Sequence, residues 1–274
     1  MYTYPCNYHR PQKLAEALEL ISRLPDGKFL AGGQTLIQAM KLRLAAPTDL
    51  IDLQAIEELK GIVQDGQGLR IGAMCRHAEV SRSSLVRTHN PALASLASGI
   101  GDRQVRHQGT IGGSVANNDP AADYPSAIMA LGATVITNRR SIQADDFFVD
   151  MYTTALEEGE LILAFSIPDP IRAGYAKFPS PASGFALTGV FVAEFPGYVR
   201  VAATGAGSHV FRIPEMEQAL TAAFRTASLD PISLNPEAFQ LSEDLHASAA
   251  YRSRLCTIMA KRAVEYALEH GMRK

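Results

Sequence analysis

Two short segments combine a glycine pair with hydroxyl and amide side chains, a pattern that suits the binding of an anion. They are LAGGQTL, residues 30–36, and GTIGGSV, residues 109–115, and we call them the first and second glycine segments. Without Cβ atoms in the way, consecutive backbone N–H groups of such loops can converge on a phosphate. Neither segment continues as GxxxxGK followed by Ser or Thr, so the lysine and metal-binding hydroxyl of nucleoside triphosphatases are missing. The loops either hold a phosphate without cleaving it or serve only as turns, and the presence of two such loops favours the first interpretation.

A third glycine motif, TGAGSHV at residues 204–210, begins like the dinucleotide fingerprint that follows a strand. Val210 stands where the third glycine of that fingerprint belongs, and the next helix is expected to begin only near Pro214. A pyrophosphate would therefore find no helix N-terminus beside this motif. The sequence predicts a turn between strand and helix here, and no NAD site.

Length, composition and charge indicate a soluble globular protein. The chain has 274 residues, of which 47% are hydrophobic and 20% charged, enough for one large domain or two to three small ones. The net charge of -2 and the lack of any long Lys or Arg cluster argue against a nucleic-acid partner. Residues 1–12 lack the basic and apolar regions of a signal peptide, and no apolar run is long enough to span a bilayer. We expect a cytoplasmic protein without a transmembrane segment.

The cysteines and histidines do not form a recognisable metal site. The three cysteines stand far apart: Cys6, Cys75 and Cys256. Their number is odd and they form no C-x-x-C pair, which predicts ordinary thiols and no disulfide, zinc or iron–sulfur ligands. His77, His89 and His107 lack the spacing and company of metal ligands, and we expect them on the surface or in loops.

The first section of the chain alternates helices and strands. Apolar residues recur at helical spacing over residues 14–24, and the segment KFLAGG at 28–33 follows as a short strand that runs into the first glycine pair. A second helix is predicted over 35–45 and a second strand over 49–53. This order implies a small sheet backed by helices.

The next two sections predict further sheets. A strand over residues 68–75 is followed by helical segments broken at Pro91, and a later strand ends at Pro168. The last section contains two alternating strands joined through residues 196–197 as a hairpin, and it finishes in helices, the last of which ends at Gly271. The second glycine segment is expected to be a loop.

Several longer motifs, in this order and spacing, resemble one known family. They are AGGQTLIQAMKLRLAAPTDLIDL, IGAMCRHAEV, IGDRQVRHQGTIGGSVANNDPAADYPSAIMALGA, YTTALEEGELI and GYAKF. Together they resemble the FAD-binding medium subunit of the molybdenum hydroxylases, a group with carbon monoxide dehydrogenase and the subunit-split relatives of xanthine dehydrogenase and aldehyde oxidase. The resemblance covers essentially the whole chain. It is specific because the two glycine segments occur together and DPAAD directly follows the second.

The resemblance implies an α+β protein with the PCMH-type, vanillyl-alcohol-oxidase-like FAD-binding fold. Two α+β subdomains would clasp FAD, the first over residues 1–54 and the second over 55–172. Residues 173–274 would form a C-terminal α+β domain with an antiparallel sheet.

The resemblance also implies that both glycine segments hold the FAD pyrophosphate through backbone amides. The residues of the first segment are Leu30, Ala31, Gly32, Gly33, Gln34, Thr35 and Leu36. Those of the second are Thr110, Ile111, Gly112, Gly113 and Ser114. Thr35 replaces the serine that is commoner in the family and keeps the hydroxyl.

Five further positions match cofactor-binding residues of the family. Ile100 and Gly101 would line the flavin or its ribityl chain. Asp123 would hydrogen-bond the sugar-like part of FAD, although it could also cap the following helix. Leu161 would touch the flavin or adenine, or belong to the core. Lys177 would lie near the isoalloxazine, whereas a lone lysine is usually a solvated surface residue.

The side chains around the second glycine segment have two possible roles each. Asn117 and Asn118 could donate amide hydrogen bonds to FAD or form a turn. Arg103 and Arg106 could face the pyrophosphate or brace the loop.

The resemblance implies that this chain holds FAD and no other cofactor, the flavin itself being the redox centre. Electrons would reach it from the [2Fe–2S] clusters of a small subunit, which receives them from a large molybdopterin subunit, in a heterotrimer that itself dimerises. FAD would pass them to an external acceptor such as NAD, oxygen or a quinone.

Two other functions remain open. A free-standing flavin oxidase of the same fold usually has a larger substrate domain than the roughly 100 residues available after residue 172. A non-redox protein could use the glycine segments for a nucleotide or for assembly of another protein.

Overall fold

The computed structural model describes residues 2–271, so residues 1 and 272–274, at the ends of the predicted first and last domains, lie outside the described part. Within it the helices are α1 (Leu14–Arg23), α2 (Leu36–Lys41), α3 (His77–Arg82), α4 (Ser84–His89), α5 (Pro91–Ser98), α6 (Arg103–Gln108), α7 (Ile111–Asn117), α8 (Tyr124–Ala130), α9 (Ala144–Phe147), α10 (Pro214–Ala222) and α11 (Ala249–His270). The strands are β1 (Asn7–His9), β2 (Gly27–Leu30), β3 (Asp49–Asp52), β4 (Ile62–Gln64), β5 (Gly68–Gly72), β6 (Thr134–Thr137), β7 (Ser141–Gln143), β8 (Phe148–Asp150), β9 (Thr153–Thr154), β10 (Ile162–Pro168), β11 (Arg172–Pro179), β12 (Ala186–Phe195), β13 (Tyr198–Thr204) and β14 (Phe211–Arg212).

The first sheet has three parallel strands in the order β1-β3-β2. Asn7 and Gly27 both pair with Asp49, which places β3 in the middle. α1 and α2 supply the crossovers that parallel neighbours require. The sequence indicated β2 and β3 but not β1, because three residues are too short for a periodic pattern.

The second sheet is antiparallel and has the order β4-β5-β10-β6-β7. Helices α5, α7 and α8 contribute to its core, which is rich in fully buried side chains such as Phe165, Leu93 and Tyr124. The same core includes Phe191 of β12, so the second and third sheets share one hydrophobic core.

The third sheet is antiparallel with the order β11-β12-β13-β14. β12 and β13 pair from Gly189 with Thr204 to Phe195 with Tyr198, which confirms the predicted hairpin. α10 and α11 pack on it through a second core that includes Met216 and Met259. The mixed helices and antiparallel sheets confirm the predicted α+β fold class.

The structure corrects two predicted elements. α2 ends at Lys41 and not at 45, because Arg43 takes a left-handed φ of 61° that a helix cannot continue. The second glycine segment is not a loop, since residues from Ile111 onward form α7. Thr110 caps this helix, accepting a hydrogen bond from the Gly113 N–H at 3.1 Å.

In the described part of the chain, every helix is too short or too polar to cross a membrane.

Candidate functional site

A cleft of about 580 Å³ lies where the two glycine segments face the second sheet and the loop between β11 and β12. Most of the predicted cofactor residues line it: Ala31, Gly32, Gly33, Gln34, Thr35, Leu36, Ile100, Gly101, Thr110, Gly112, Gly113, Ser114, Asn117, Asp123 and Leu161. Three predicted residues do not. The side chains of Leu30 and Ile111 are buried in hydrophobic clusters, and Lys177 stands behind Asp123.

The sequence did not indicate the other residues that line the cleft. They are Lys28, Phe29, Leu53, Ala73, Met74, His77, Val105, Gly109, Ala116, Asp119, Ala122, Leu156, Glu160, Ile162, Ser183, Gly184 and Phe185. The Ser-Gly pair at 183–184, between two strands, was a usable turn signal. The remainder come from many separate elements, so no local pattern marks them.

The first glycine segment runs from the end of β2 to the start of α2. Gly33 has a φ of 69°, a left-handed conformation that glycine adopts without strain. The backbone N–H groups of residues 32–36 find no acceptor among residues 2–271. A run of donors left free by the protein is the arrangement that an anionic ligand requires.

The amides of the second glycine segment, by contrast, are paired inside the protein. The Ile111 N–H donates to the Cys75 carbonyl at 3.0 Å and the Gly112 N–H to that of Ala73 at 2.8 Å. The Gly113 N–H is taken by the Thr110 hydroxyl oxygen. The second segment therefore offers a ligand a surface without side chains, together with the hydroxyl groups of Thr110 and Ser114, and the first segment offers the free amides.

The glycines also let both segments pack closely against neighbouring backbone. A Cβ on Gly32 would overlap the Gln108 carbonyl group, and one on Gly112 would lie 2.6 Å from the Ala73 carbonyl oxygen. These are contacts with backbone, which cannot move aside as a side chain can. Close packing within the protein is thus a second reason for glycine at these positions, in addition to room for a ligand.

Asp123 and Lys177 form a buried ion pair in the wall of the cleft. The Lys177 Nζ lies 2.9 Å from the Asp123 Oδ1, which also accepts a hydrogen bond from the Tyr175 hydroxyl at 2.6 Å. Lys177 Nζ further donates to the carbonyls of Gly99 and Gly184 at 3.0 and 3.1 Å. Burial raises the pKa of Asp123, against the opposing influence of the lysine cation.

This pair settles two alternatives left open by the sequence. The Asp123 carboxylate makes no capping hydrogen bond to α8, so the helix-cap interpretation was wrong. Lys177 is not a solvated surface residue either, because only 13% of its side chain is exposed.

The arginine and asparagine side chains near the second segment mostly support the protein itself. Arg106 donates to the Ile100 and Gly101 carbonyls at 2.8 and 2.7 Å, which is the bracing role. Asn118 has a φ of 44° and its amide donates to two carbonyls of the β8–β9 hairpin. Asn117 faces the cleft, whereas Arg103 is exposed at the start of α6.

The expectation that His77 lies on the surface or in a loop was wrong, since it is the first residue of α3 and only 4% exposed. Burial, aided by the Arg106 cation, lowers the pKa of His77 to about 4. His89 is an ion-pair partner of Asp169 at 2.7 Å, and His107 is exposed.

The cysteine thiols are free and separate. Burial raises the pKa of Cys75 to about 11 and that of Cys256 to about 12, which makes both poor nucleophiles.

The residues present fit a flavin nucleotide. Free amides suit its diphosphate, the Asp123 carboxylate suits a hydroxyl donor, and the apolar side chains of Ile100 and Leu161 suit a ring system. Fold and site together define a class of flavoproteins with a parallel sheet, two antiparallel sheets and a cleft lined by two glycine segments.

Comparison with known proteins identifies the family. Residues 4–170 match the model described as "FAD binding domain in molybdopterin dehydrogenase". The chain belongs to this family, and it is an FAD-binding subunit of the molybdenum hydroxylase type. The prediction of FAD as the cofactor is thereby confirmed, as is the prediction of an oxidoreductase subunit.

The similarity extends over nearly the whole chain. The nicotine 6-hydroxylase medium subunit of Paenarthrobacter nicotinovorans is 33% identical, covering 94% of this chain and 95% of that protein. The carbon monoxide dehydrogenase medium chain of Hydrogenophaga pseudoflava is 34% identical, covering 95% and 96%. The solved structure of carbon monoxide dehydrogenase from that organism, lacking the Mo-pyranopterin moiety, superposes with a TM-score of 0.88 at 33% identity, over 99% of this chain and 100% of that one.

Proposed function

We propose that this chain receives electrons from the [2Fe–2S] clusters of a small partner subunit and passes them through FAD to an external acceptor. A large subunit of the same complex would carry the molybdopterin and oxidise the substrate. The observation that carries the proposal is the cleft with its free amides at residues 32–36 and its buried Asp123–Lys177 pair. Similarity to medium subunits supports the presence of partner subunits.

The roles of the chain's own residues follow from this geometry. The N–H groups of residues 32–36 donate to the diphosphate, and the surface of the second glycine segment lies against it. Asp123 accepts from a sugar-like hydroxyl group while Lys177 keeps its charge compensated. Ile100 and Leu161 keep water from the ring system. Bound there, FAD supplies the electron exchange.

We propose the same set of cofactor-binding residues as the sequence predicted, with three changes of role. The second glycine segment contributes its surface and hydroxyl groups and not its backbone amides, which are paired inside the protein. Leu30 and Ile111 act by supporting the segments from the hydrophobic core and not by contact. Lys177 acts through its ion pair with Asp123 and does not itself line the cleft.

We also propose domain limits at residues 54/55 and 172/173. The first sheet lies before the first limit and the second sheet lies between the two. Arg172 is already the first residue of β11, so the second limit falls at the start of the third sheet.

We propose that another subunit of the complex selects the substrate. Two relatives of nearly equal identity belong to enzymes named for nicotine and for carbon monoxide. Medium subunits of such similar identity to this chain belong to enzymes named for very different molecules, which supports selection of the substrate by another subunit.

The test is to co-express the chain with the genes that flank its own and to analyse the complex that elutes from a sizing column. We expect a single peak with flavin absorption that contains iron and molybdenum. A yellow monomer that oxidises an organic substrate unaided would instead establish the free-standing oxidase. A colourless protein that cannot be reconstituted with FAD would establish the non-redox alternative.

A further inference from the structure

His77 is a polar residue that lines the cleft and that the sequence did not indicate as a cofactor residue. It begins α3, where its backbone N–H donates to the Gly109 carbonyl at 3.0 Å. Its ring lies against Gly109, since a Cβ on that glycine would come within 2.5 Å of the His77 Nε2. Both residues line the cleft beside Thr110.

One ring nitrogen of His77 is not satisfied by the protein. Its Nδ1 is buried and has no hydrogen-bond partner among the described residues. The ring packs at 5.3 Å, centroid to centroid, on Tyr124, whose hydroxyl is also buried without a partner. Buried polar groups in proteins are nearly always paired. A histidine at this position is therefore explained by a partner that enters the cleft and not by packing, for which Phe or Leu would serve better.

The ring is uncharged near neutral pH. Desolvation and the nearby Arg106 cation lower the pKa of His77 to about 4. A neutral imidazole carries one N–H donor and one acceptor nitrogen, so it can hydrogen-bond a ligand without adding charge. The charge of Asp123, which lines the same cleft, is compensated by Lys177 behind it.

We propose that His77 is a cofactor-positioning residue, whose neutral imidazole hydrogen-bonds a polar atom of the bound flavin nucleotide. The inference rests on the proposed function in that it requires FAD to occupy this cleft. It adds to that function a side-chain contact from α3, an element to which the sequence gave no cofactor role.

The test compares three variants of the FAD-free chain by fluorescence titration with FAD. His77→Phe keeps an aromatic ring at this position but removes both ring nitrogens. We expect it to weaken FAD binding about 10-fold to 100-fold. His77→Gln supplies a donor and an acceptor again and should recover most of the loss. His107→Phe is the matched control on the exposed face of α6 and should bind like the wild type.

A purely structural role is separated by the thermal unfolding of the FAD-free proteins. Because Nδ1 is unpaired, His77→Phe should unfold at the wild-type temperature or above it while binding FAD more weakly. Loss of both stability and affinity, without recovery in His77→Gln, would mean that His77 only supports the fold. Equal FAD affinity of His77→Phe and wild type would also overturn the inference.

A second measurement does not depend on how the variants fold. In ¹⁵N-histidine spectra of the wild-type chain, FAD should shift one ring nitrogen of His77 much more than the other, as a new hydrogen bond requires. Unchanged His77 nitrogens in the FAD-bound chain would overturn the inference alone. Failure of the wild type to bind FAD at all would instead overturn the proposed function.

Discussion

At the scale of single residues, the cleft contains an ion pair whose two members depend on each other. The Asp123 carboxylate is 4% exposed and Lys177 is its cation at 2.9 Å. Removing one partner of a buried pair leaves an uncompensated charge, which costs far more than losing an exposed pair.

We predict that Lys177→Met lowers the free energy of unfolding by about 3 kcal/mol, as measured by urea denaturation without FAD. The double variant with Asp123→Asn should be less destabilised than Lys177→Met alone, because no charge is left unpaired. Lys60→Met is the control, since Lys60 pairs with the exposed Glu57 and should cost under about 1 kcal/mol. A loss no larger for Lys177→Met than for Lys60→Met would show that the pair is not effectively buried.

Glu160 gives the molecule a specific acid sensitivity. The Arg140 guanidinium lowers the pKa of this buried carboxyl to about 2, from 4.5 for the free group. A lowered folded-state pKa contributes stability above the unfolded value, and that stability is lost as the pH falls from about 4.5 towards 2.

We predict that Glu160→Gln removes this contribution. Its unfolding free energy should be about 2 kcal/mol below wild type at pH 7, with the difference shrinking at pH 3. Urea denaturation at both pH values measures the two differences. A constant difference would contradict the assigned pKa.

At the scale of elements, Thr110 connects the second glycine segment to α7. Its hydroxyl oxygen accepts from the Gly113 N–H, a capping bond that the sequence did not predict because the segment looked like a loop. Glycine pairs disfavour helices, but here tertiary contacts of Gly112 with Ala73 outweigh that preference.

We predict that Thr110→Ala lowers the free energy of unfolding by about 1 kcal/mol, whereas Thr110→Ser, which can still cap, stays close to wild type. Urea denaturation of the FAD-free chain is the measurement. Equal losses in both variants would show that the methyl group matters and the cap does not.

The packing of the first glycine segment on the backbone of residues 108–109 gives a further prediction. Gly32→Ala should destabilise the FAD-free protein by about 2 kcal/mol because its Cβ overlaps the Gln108 backbone. Gly99→Ala is a matched control, since the nearest atom to its Cβ is the Leu96 carbonyl oxygen at 3.5 Å. If Gly32→Ala weakened only FAD binding and left unfolding unchanged, the glycine would serve the ligand alone.

At the scale of the whole molecule, the sequence could predict what depends on neighbours along the chain. α1, the β12–β13 hairpin and the end of α11 before Gly271 all followed from periodicity and turn residues. The physical pattern located the two glycine segments, and the family motifs added Ile100, Gly101, Asn117, Asp123 and Leu161.

What could not be predicted depends on distant pairing. β1 is defined only by its pairing with β3. The ion-pair partner of Asp123 is Lys177, which belongs to the third sheet. The burial of His77 arises from Gly109 and Tyr124, which come later in the chain. Long-range contacts of this kind leave no periodic signal in one sequence.

The proposed FAD site is the cleft that both glycine segments line. The most direct measurement is fluorescence titration of FAD into the FAD-free chain and into Gly113→Val, with Gly207→Val, in a turn away from the cleft, as the control. A Cβ on Gly113 would lie 2.9 Å from the Thr110 Oγ1 and 3.4 Å from the Ala31 Cβ of the first segment, so a valine side chain narrows the space between the two segments. We predict one FAD per wild-type chain, binding like wild type in Gly207→Val, and at least about 100-fold weaker binding in a folded Gly113→Val. Undiminished binding in Gly113→Val would contradict the account.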